Sequence, residues 1–364
     1  MIKLARNLLF PKGPIFLVHF VTNRCNANCA HCFIFSQKIS PRFLGKELTL
    51  KEIEKGVSSL SSSLINVSLT GGEPFLRKDL VEIVNLYAQK AGLKSINIST
   101  NGSLPLKIRN SVKQMLKQNP ETNLTVSLSI DNLGKKHDQN RRFPGLFERV
   151  LKTYRLLEAL KSPKLAVSFN LTVTGKNEND LEKIFQFLTK RLGAKGVTST
   201  AVRFGRGASK TNFNVKNYAF LNQMIDQGFL KNQLAGFQGF KGADFYNAKN
   251  ILLRQAVEKT LREKCLLTSC QAGRLAAVLH ANGDVYPCEL LDRKIGNIAD
   301  FDYSFPRLWE SKKAQESRRF IRDSGCFCTY ECFWGVNFLV NPKFYPAILE
   351  NYLKIKVAKR KHGA

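Results

Sequence analysis

Apolar runs and amphipathic stretches alternate along the N-terminal part of the chain. Six runs rich in branched and aromatic residues predict buried strands, at residues 15–22, 64–70, 94–100, 124–130, 165–174 and 197–204. Helical patterns fill the intervals, at residues 49–59, 80–91, 108–118, 146–160 and 180–192. Because strands that alternate with helices indicate parallel βαβ units, we expect an α/β fold, a partial (β/α)6 TIM-like barrel that stays open on one side.

The alternation ends near residue 207, and a different pattern follows. Asn282-Gly283 separates two short apolar runs, which predicts a β-hairpin. Cysteines also gather in this part of the chain, so we expect a small C-terminal cysteine-rich α+β domain after the barrel. The expected organisation is an N-terminal segment (1–14), the core (15–207), a linker and helical region (208–264), the cysteine-rich domain (265–340) and a basic C-terminal tail (341–364).

Charge narrows the choice of partners. Of 364 residues, 57 are Lys or Arg and 28 are Asp or Glu, which gives a formal net charge of +29. Such an excess attracts an anionic partner or substrate, although a solvated basic surface without a partner explains it equally well. We see no nucleic-acid-binding signature and expect no nucleic-acid partner. The apolar, aromatic residues 334–352 lead into a basic end, which leaves peripheral membrane contact open.

The chain shows no segment that would take it into or across a membrane. No apolar run approaches the roughly 20 residues of a membrane span. The first ten residues are basic and then briefly apolar, without the long apolar core and cleavage site of a signal peptide. We therefore expect a cytoplasmic protein, in which grouped cysteines favour metal or cluster ligation over disulfides.

The first cysteine group lies where an α/β fold places its chemistry. Cys25, Cys29 and Cys32 follow the first strand at C-x3-C-x2-C spacing. Three thiolates can hold three irons of a [4Fe–4S] cluster and leave the fourth iron open to a substrate or cofactor. With His31 as a fourth ligand, the same loop would hold a structural zinc ion. Three incidental buried thiols are the remaining interpretation.

Polar residues also end the next three strands. The second strand runs into Gly71-Gly72-Glu73-Pro74, whose glycines let the backbone approach a ligand and whose carboxylate suits an amino-acid ammonium group. A plain turn is the alternative. Asn101-Gly102 after the third strand permits a hairpin, but we expect an exit to a loop with Asn101 near the site. The fourth strand places Ser127, Ser129 and Asp131 on one face, where they would suit ribose hydroxyls or be plain strand polarity.

Arginines follow the fourth and sixth strands. At Arg141-Arg142 a guanidinium could grip a carboxylate through two parallel hydrogen bonds, and we assign that role to Arg142, with a surface pair as the alternative. Arg203 and Arg206 lie among glycines at the end of the sixth strand. This basic loop could hold an anionic group, or it could be a solvated loop.

The ordered motifs resemble the radical S-adenosylmethionine (SAM) family over roughly residues 13–205. The resemblance rests on Cys25-x3-Cys29-x2-Cys32 and on the motifs at residues 71–74 and 127–131; His31 stands where the family usually has an aromatic ring. It implies a [4Fe–4S] cluster whose open iron binds SAM, with a set of residues around that ligand: Gly71, Gly72, Glu73, Pro74, Asn101, Ser129, Asp131 and Arg142. It also implies cleavage of SAM by one electron to methionine and a 5′-deoxyadenosyl radical, which takes a hydrogen atom from the substrate.

The later cysteines resemble the auxiliary-cluster domain of that family, in its SPASM or shortened twitch form. The match rests on Cys270-x12-Gly283-x4-Cys288 and on Cys328-x3-Cys332. The full pattern needs more cysteines after residue 288 than the three present, so we expect one auxiliary [4Fe–4S] cluster. The preferred ligands are Cys270, Cys288 and Cys332, with Cys265, Cys326 or Cys328 as the fourth. A four-thiolate zinc site and incidental thiols are the rivals.

The sequence therefore predicts a radical SAM enzyme whose substrate stays open. A peptide is one candidate, and a phosphorylated sugar, lipid or nucleotide is another, given the basic charge. The resemblance also implies an electron donor such as flavodoxin or ferredoxin. A rival of a different class is a non-enzymatic iron–sulfur or zinc protein for electron transfer or structure. The turn at residues 71–74 separates the two, because an electron carrier does not need an amino-acid-binding turn.

Overall fold

A computed structural model describes Leu8 and residues 11–32, 45–203, 213–236 and 242–361. Within these residues nine strands form one sheet. They are β1 (Phe16–Thr22), β2 (Asn66–Gly71), β3 (Ser95–Thr100), β4 (Asn123–Ile130), β5 (Leu165–Val173), β6 (Val197–Ala201), β7 (Ala276–Leu279), β8 (Asp284–Tyr286) and β9 (Gly296–Asn297). Their order is β6-β5-β4-β3-β2-β1-β7-β8-β9. Strands β1 to β7 pair in parallel, and β8 and β9 add antiparallel strands at one edge.

The helices between β1 and β6 connect the strands and cover one face of the sheet, and twelve α-helices in all occur within the described residues. They are α1 (Leu50–Ser59), α2 (Leu80–Gln89), α3 (Pro105–Gln118), α4 (Gly134–Arg141), α5 (Leu146–Glu158), α6 (Leu181–Gln186), α7 (Val215–Leu230), α8 (Ala243–Glu263), α9 (Phe305–Glu310), α10 (Lys312–Asp323), α11 (Glu331–Leu339) and α12 (Tyr345–Lys361). Thr49 caps α1 with a reciprocal capping box to Glu52, which explains why that helix begins where it does. None of the described helices is long and apolar enough to cross a membrane.

The open α/β architecture that the sequence predicts is confirmed. All six predicted strands are present and parallel, although Phe204, the last residue predicted for the sixth, lies outside the described residues. Because β3 and β4 are parallel, Asn101 leaves β3 into a loop rather than a hairpin. The hairpin predicted at Asn282-Gly283 joins β7 to β8. The division of the chain into five segments stays a prediction, and β7 continues the same sheet beside β1.

Within the six-stranded core, the helix α4 has no counterpart among the five helices predicted there. Its sequence, Gly-Lys-Lys-His-Asp-Gln-Asn-Arg, lacks the apolar repeat that predicts an amphipathic helix. It nevertheless buries His137 and Arg141. It follows β4, and its last residues contact the loop after β1.

The two faces of the sheet differ in chemistry. Residues such as Val67, Ile98 and Val126 are fully buried and pack against the helices. On the opposite face of β2 to β6 the side chains are polar and uncharged, and we call this surface the polar face (Ser68, Asn97, Ser127, Ser129, Ser168, Asn170, Thr198 and Thr200). Hydrogen bonds join these side chains across strands, including Asn97 Nδ2 to Ser68 Oγ at 3.0 Å and Thr200 Oγ1 to Asn170 Oδ1 at 2.8 Å.

The C-terminal region packs on the same side of the sheet, beside the polar face. Phe20 and Val278, on β1 and β7, belong to an apolar cluster with Tyr330 and Phe333. The ring of Phe333 also meets that of Phe16 edge-on, with centroids 6.2 Å apart. The C-terminal cysteines are therefore held next to the core rather than in a separate body.

Candidate active site and second cysteine site

The loop that carries the first three cysteines, residues 23–32, leaves the buried end of β1. Glu47 fixes its start by accepting hydrogen bonds from Thr22 Oγ1 at 2.6 Å and from the Asn23 N–H at 2.9 Å. The end of α4 holds its middle, because the N–H groups of Asn28 and Ala30 donate to the carbonyls of Arg141 and Asn140. All three cysteines are partly exposed on this braced loop.

The pKa values of the thiols on this loop indicate a site for a cationic group. Burial raises the pKa of Cys25 to about 11 and also raises the pKa of Cys29. The thiolate, which is the ligand form, therefore needs compensation, and iron would supply it. The protein itself supplies part of this compensation, because the Ala27 N–H points at Cys25 Sγ at 3.4 Å. The donor set fits an iron–sulfur cluster held by three thiolates.

The glycine turn after β2 touches the cysteine loop through its backbone. The Gly72 N–H donates to the Thr22 carbonyl and the Glu73 N–H to the Arg24 carbonyl, both at 2.8 Å. A Cβ at Gly71, where φ is +134°, would lie 2.3 Å from the Thr22 oxygen, and one at Gly72 would lie 2.1 Å from the Arg24 oxygen. Two glycines are needed because any side chain would force the turn and the cysteine loop apart.

Glu73 is buried at the base of this turn. Its carboxylate accepts from the Thr100 hydroxyl and the Asn101 N–H, both at 2.7 Å, and from the Phe75 N–H at 3.1 Å. Burial raises the pKa of Glu73, and these three donors oppose that rise. A carboxylate has about four acceptor positions, so the geometry leaves about one for a ligand. Glu73 therefore ties β2 to the end of β3 in addition to any contact with SAM.

Asn101 is joined to the cysteine loop by its side chain. Its Nδ2 donates to Asn26 Oδ1 at 2.9 Å, and Asn26 Nδ2 donates to Ser103 Oγ at 2.9 Å. Asn26, between the first two cysteines, was not among the residues predicted for the site. The sequence offered no signal for it, because the spacing pattern leaves that position unspecified.

Asp131 and Arg141 form the buried fork beside the cysteine loop. Arg141 Nε and Nη2 donate to the two oxygens of Asp131 at 2.6 and 2.9 Å, and His31 Nε2 lies 3.8 Å from Asp131. Burial alone would raise the pKa of Asp131, but Arg141 holds it at about 2. Removing one partner of such a buried pair typically costs about 3–5 kcal/mol. Asp131 is therefore committed to Arg141, whose carbonyl in turn holds the cysteine loop.

Arg142 and Ser129, also predicted for the SAM site, lie in different surroundings. Arg142 is exposed at the end of α4, where its φ of +49° ends the helix. The fork predicted for Arg142 is made by its neighbour Arg141. Ser129 is half-buried on the polar face, in register with Asn170 of β5. Ser127, two residues earlier, donates to Asn97 Oδ1 at 2.9 Å on the same face.

Four of the later cysteines line one cavity. They are Cys270, Cys288, Cys326 and Cys328, and the cavity between them has a volume of about 20 Å³. The other walls are mainly apolar, from residues such as Leu290, Ile321 and Phe333. Burial raises the pKa of Cys270 to about 11 and that of Cys288 to about 12, and raises that of Cys328 strongly.

Backbone donors point at these thiols as they do at Cys25. The Leu291 N–H lies 3.3 Å from Cys288 Sγ, and the N–H groups of Ala272 and Tyr330 lower the pKa of Cys270 and Cys328 against burial. N–H donors of this kind stabilise the thiolate that binds a metal. Four convergent thiols with such donors fit an iron–sulfur cluster.

Cys332 and Cys265 do not line this cavity. Cys332, a ligand preferred from the sequence, is partly buried against the apolar cluster of Phe20 and Phe333. Burial raises its pKa to about 12, and the nearby Arg203 opposes the rise. Cys265 is exposed just beyond the end of α8. Across the part of the chain that the structure describes, no three His, Cys, Asp or Glu side chains are grouped closely enough to hold a single metal ion.

Arg203 lies two residues beyond the end of β6 in a partly buried ion-pair network. Its Nη1 lies 2.8 Å from Glu331 and its Nη2 lies 3.2 Å from Glu289, while its guanidinium stacks on Tyr330 at 4.5 Å from the ring centroid. This arginine therefore joins the end of β6 to the start of α11 and is not free to hold an anion. The rest of the predicted basic loop, residues 204–207, lies outside the described residues.

Comparison with known proteins explains both sites. Residues 20–188 match the model of the radical SAM superfamily, and residues 270–333 match SPASM, an iron–sulfur cluster-binding domain. The AdoMet-dependent heme synthase of Methanosarcina barkeri is 28% identical over 82% of this chain and 83% of its own. The antilisterial bacteriocin subtilosin biosynthesis protein AlbA of Bacillus subtilis is 25% identical over 87% of this chain and 66% of its own.

Solved structures agree on the fold. The structure of anSMEcpe with bound AdoMet superposes with a TM-score of 0.63 at 19% identity, over 96% of this chain and 99% of that one. The structure of Streptococcus suis SuiB bound to its precursor peptide SuiA gives a TM-score of 0.58 at 16% identity, over 88% and 71% of the two chains. These comparisons do not support the non-enzymatic rival, because the curated relatives are synthases and biosynthesis proteins. The chain is a radical SAM enzyme with a C-terminal SPASM domain, and its cofactors are SAM and [4Fe–4S] clusters.

Proposed function

We propose that the chain reductively cleaves SAM at a cluster held by Cys25, Cys29 and Cys32, and takes a hydrogen atom from a peptide substrate. The carrying observation is the double backbone contact between the turn at Gly71-Gly72 and the cysteine loop. It holds the turn and its carboxylate beside three thiols, which cluster storage alone would not require. When bound there, SAM and the reduced cluster would supply the 5′-deoxyadenosyl radical.

The chain's own residues would orient SAM at several points. The backbone of residues 71–74 and the remaining acceptor position of Glu73 would take the methionine ammonium, because this turn meets the cysteine loop. Ser129 and Asn170, adjacent on the polar face, offer hydroxyl and amide groups to the ribose. Asp131 would act indirectly, by holding Arg141 against the loop. Arg142, being exposed, is the weakest of the proposed contacts.

We propose one auxiliary [4Fe–4S] cluster, held by Cys270, Cys288, Cys326 and Cys328. The support is their convergence on one cavity with backbone N–H donors at the sulfurs. Cys270 and Cys288 are ligands that the sequence already favoured. Cys326 and Cys328, two of the alternatives for the fourth ligand, take the other two positions, and Cys332 is not a ligand. Cys332 would then be a partly buried thiol beside Arg203, outside the cluster.

The polar face favours a peptide as the substrate class. Its side chains are hydroxyls and amides, which match the donors and acceptors of a peptide backbone and offer no apolar platform for a flat ring. The solved relative SuiB binds its precursor peptide SuiA. A tetrapyrrole is the second candidate, because the heme synthase from M. barkeri aligns over more than four fifths of both chains.

The test of SAM cleavage uses the purified chain with reconstituted clusters under anaerobic conditions. Dithionite and SAM are added, and 5′-deoxyadenosine and methionine are measured. We expect both products in equal amounts at a slow rate without substrate. Absence of 5′-deoxyadenosine, with no detectable SAM binding, would refute the proposal.

The substrate class is tested by hydrogen transfer. Source cells are grown in D2O, and their extract of peptides and metabolites is given to the enzyme in ordinary water. We expect deuterium in 5′-deoxyadenosine by mass spectrometry, and loss of that transfer when the extract is first digested with a broad protease. Transfer that survives digestion, together with a shifted absorption band on titrating iron coproporphyrin III, would favour the tetrapyrrole instead.

A further inference from the structure

A second cavity lies on the outer side of the auxiliary cysteine site. Its volume is about 520 Å³, and it shares Cys270, Ala272, Leu266 and Ile321 with the cysteine cavity. We call it the arginine groove, because four arginines line it: Arg274, Arg318, Arg319 and Arg322. Cys270, whose thiol faces the auxiliary site, therefore also lines a groove that is open to solvent.

The arginines of the groove are held by carbonyl groups. Arg318 donates to the carbonyls of Gly273 and Trp309, at 3.2 and 2.8 Å. Arg274 donates to Gln271 Oε1 and to the Leu8 carbonyl, at 2.8 and 2.7 Å. Such contacts fix the guanidinium groups in place without neutralising their charge. Burial and then the nearby charge of Arg274 lower the pKa of Arg318, which shows that two like charges are held close together.

The rim of the groove adds exposed charge. Arg319 and Arg322 lie on the outer side of α10, and both are exposed. Arg322 forms an exposed ion pair with Asp323, which contributes little in water. Among the described residues that line the groove, none is acidic. The surface therefore presents a fixed positive concavity to an anionic partner.

We propose that the arginine groove is the docking site of an acidic one-electron carrier protein, of the flavodoxin or ferredoxin kind. This rests on the proposed auxiliary cluster behind Cys270. A docked reduced carrier would give one electron to the enzyme and be oxidised by one, so flavodoxin would pass from hydroquinone to semiquinone. The net charge of +29 would speed the encounter with an acidic protein. A site for a small phosphate ligand would not need a redox centre in its wall. Because Cys270 lines both the groove and the auxiliary site, an electron carrier is the favoured occupant.

The test is direct binding of a purified bacterial flavodoxin to the reconstituted enzyme, measured by isothermal titration at several salt concentrations. In the variant, Arg319→Glu and Arg322→Glu are combined, because both side chains are exposed on α10. We expect the Kd to rise at least tenfold at low salt and its salt dependence to flatten. The matched control combines Lys113→Glu and Lys117→Glu on α3, also exposed, and should change the Kd less than about twofold.

Turnover gives the second measurement. SAM cleavage driven by reduced flavodoxin should fall with the loss of binding, while cleavage driven by dithionite should stay as in the unchanged protein. Unaltered flavodoxin binding by the variant, or an equal loss in the control, would overturn the docking proposal. So would a variant that loses binding of sodium pyrophosphate but keeps that of flavodoxin. Normal flavodoxin binding without any dithionite-driven cleavage would count against the proposed function and leave the docking site standing.

Discussion

The two cysteine sites of this protein are built in opposite ways. The first consists of three cysteines within eight consecutive residues, on a loop that is partly exposed and braced by Glu47, by the end of α4 and by the glycine turn. The second gathers four cysteines from three separated segments into one cavity with mainly apolar walls. Backbone N–H groups point at the sulfurs in both.

The contrast shows how each site relates to its ligand. The first site has three thiols beside the glycine turn, so in the proposed function one coordination position is left to SAM. The second closes four thiols around a space without such a turn, as expected for a cluster that is fully ligated by the protein. An open site needs a braced loop that keeps its shape without the fourth ligand, whereas four ligands from different elements are held by the packing of the core around them.

The largest expected effect comes from breaking the open site. Cys29→Ala removes one of three ligands, so SAM cleavage should fall at least about a hundredfold, beyond the usual cost of losing a supporting contact. The auxiliary iron should remain, at about four atoms per chain. Iron analysis and 5′-deoxyadenosine formation check the two halves of this prediction. Full activity would show that the loop does not hold the catalytic cluster.

The next effect separates the two candidate ligand sets of the closed site. Cys326→Ala should lower the iron content from about eight to about four atoms per chain, while uncoupled SAM cleavage persists. Cys332→Ala should keep all the iron, because that thiol faces the Arg203 network. Cys265→Ala, at an exposed position, is the matched control. The reverse result, with iron lost only from the Cys332 variant, would restore the ligand set preferred from sequence.

A smaller effect should follow from changing the contact between turn and loop. Gly72→Ala places a Cβ against the Arg24 carbonyl, so the turn must shift. A misplacement of about 1 Å can lower a reaction rate by about a hundredfold. We expect the affinity for SAM to weaken by about ten- to a hundredfold in calorimetric titrations. Gly92→Ala, at a position with open space around it, serves as the control. Equal affinities in the two variants would contradict the role given to the turn.

The smallest effect is expected at Arg142. Since its side chain is exposed, Arg142→Ala should change SAM affinity by less than about twofold and the free energy of unfolding by about 0.5 kcal/mol or less. Calorimetric titration and urea unfolding measure both quantities. A tenfold loss of SAM affinity would mean that Arg142 reaches SAM when it binds, as expected from the sequence.

Much of the first site could be predicted because it is local. Cys25, Cys29 and Cys32 share a loop, and the turn at residues 71–74 follows the next strand, which must lie beside β1 in a parallel βαβ fold. The choice between Arg141 and Arg142 could not be made in this way. Both follow the same strand, and only the short helix α4, which lacks an apolar repeat, decides that Arg141 turns inward and that Arg142 ends the helix in solvent.

The sequence by itself determined the order of strands and helices, the cysteine loop and the glycine turn, because strand patterns and turn residues act over a few neighbouring positions. Only the tertiary structure decided which of the later cysteines meet. Cys326 and Cys328 face the cavity, whereas Cys332, on α11, lies beside Arg203. That choice depends on how α11 packs against β1 and on the ion pairs at the end of β6. Contacts between distant segments follow from the packing of the core, and no spacing along the chain encodes them.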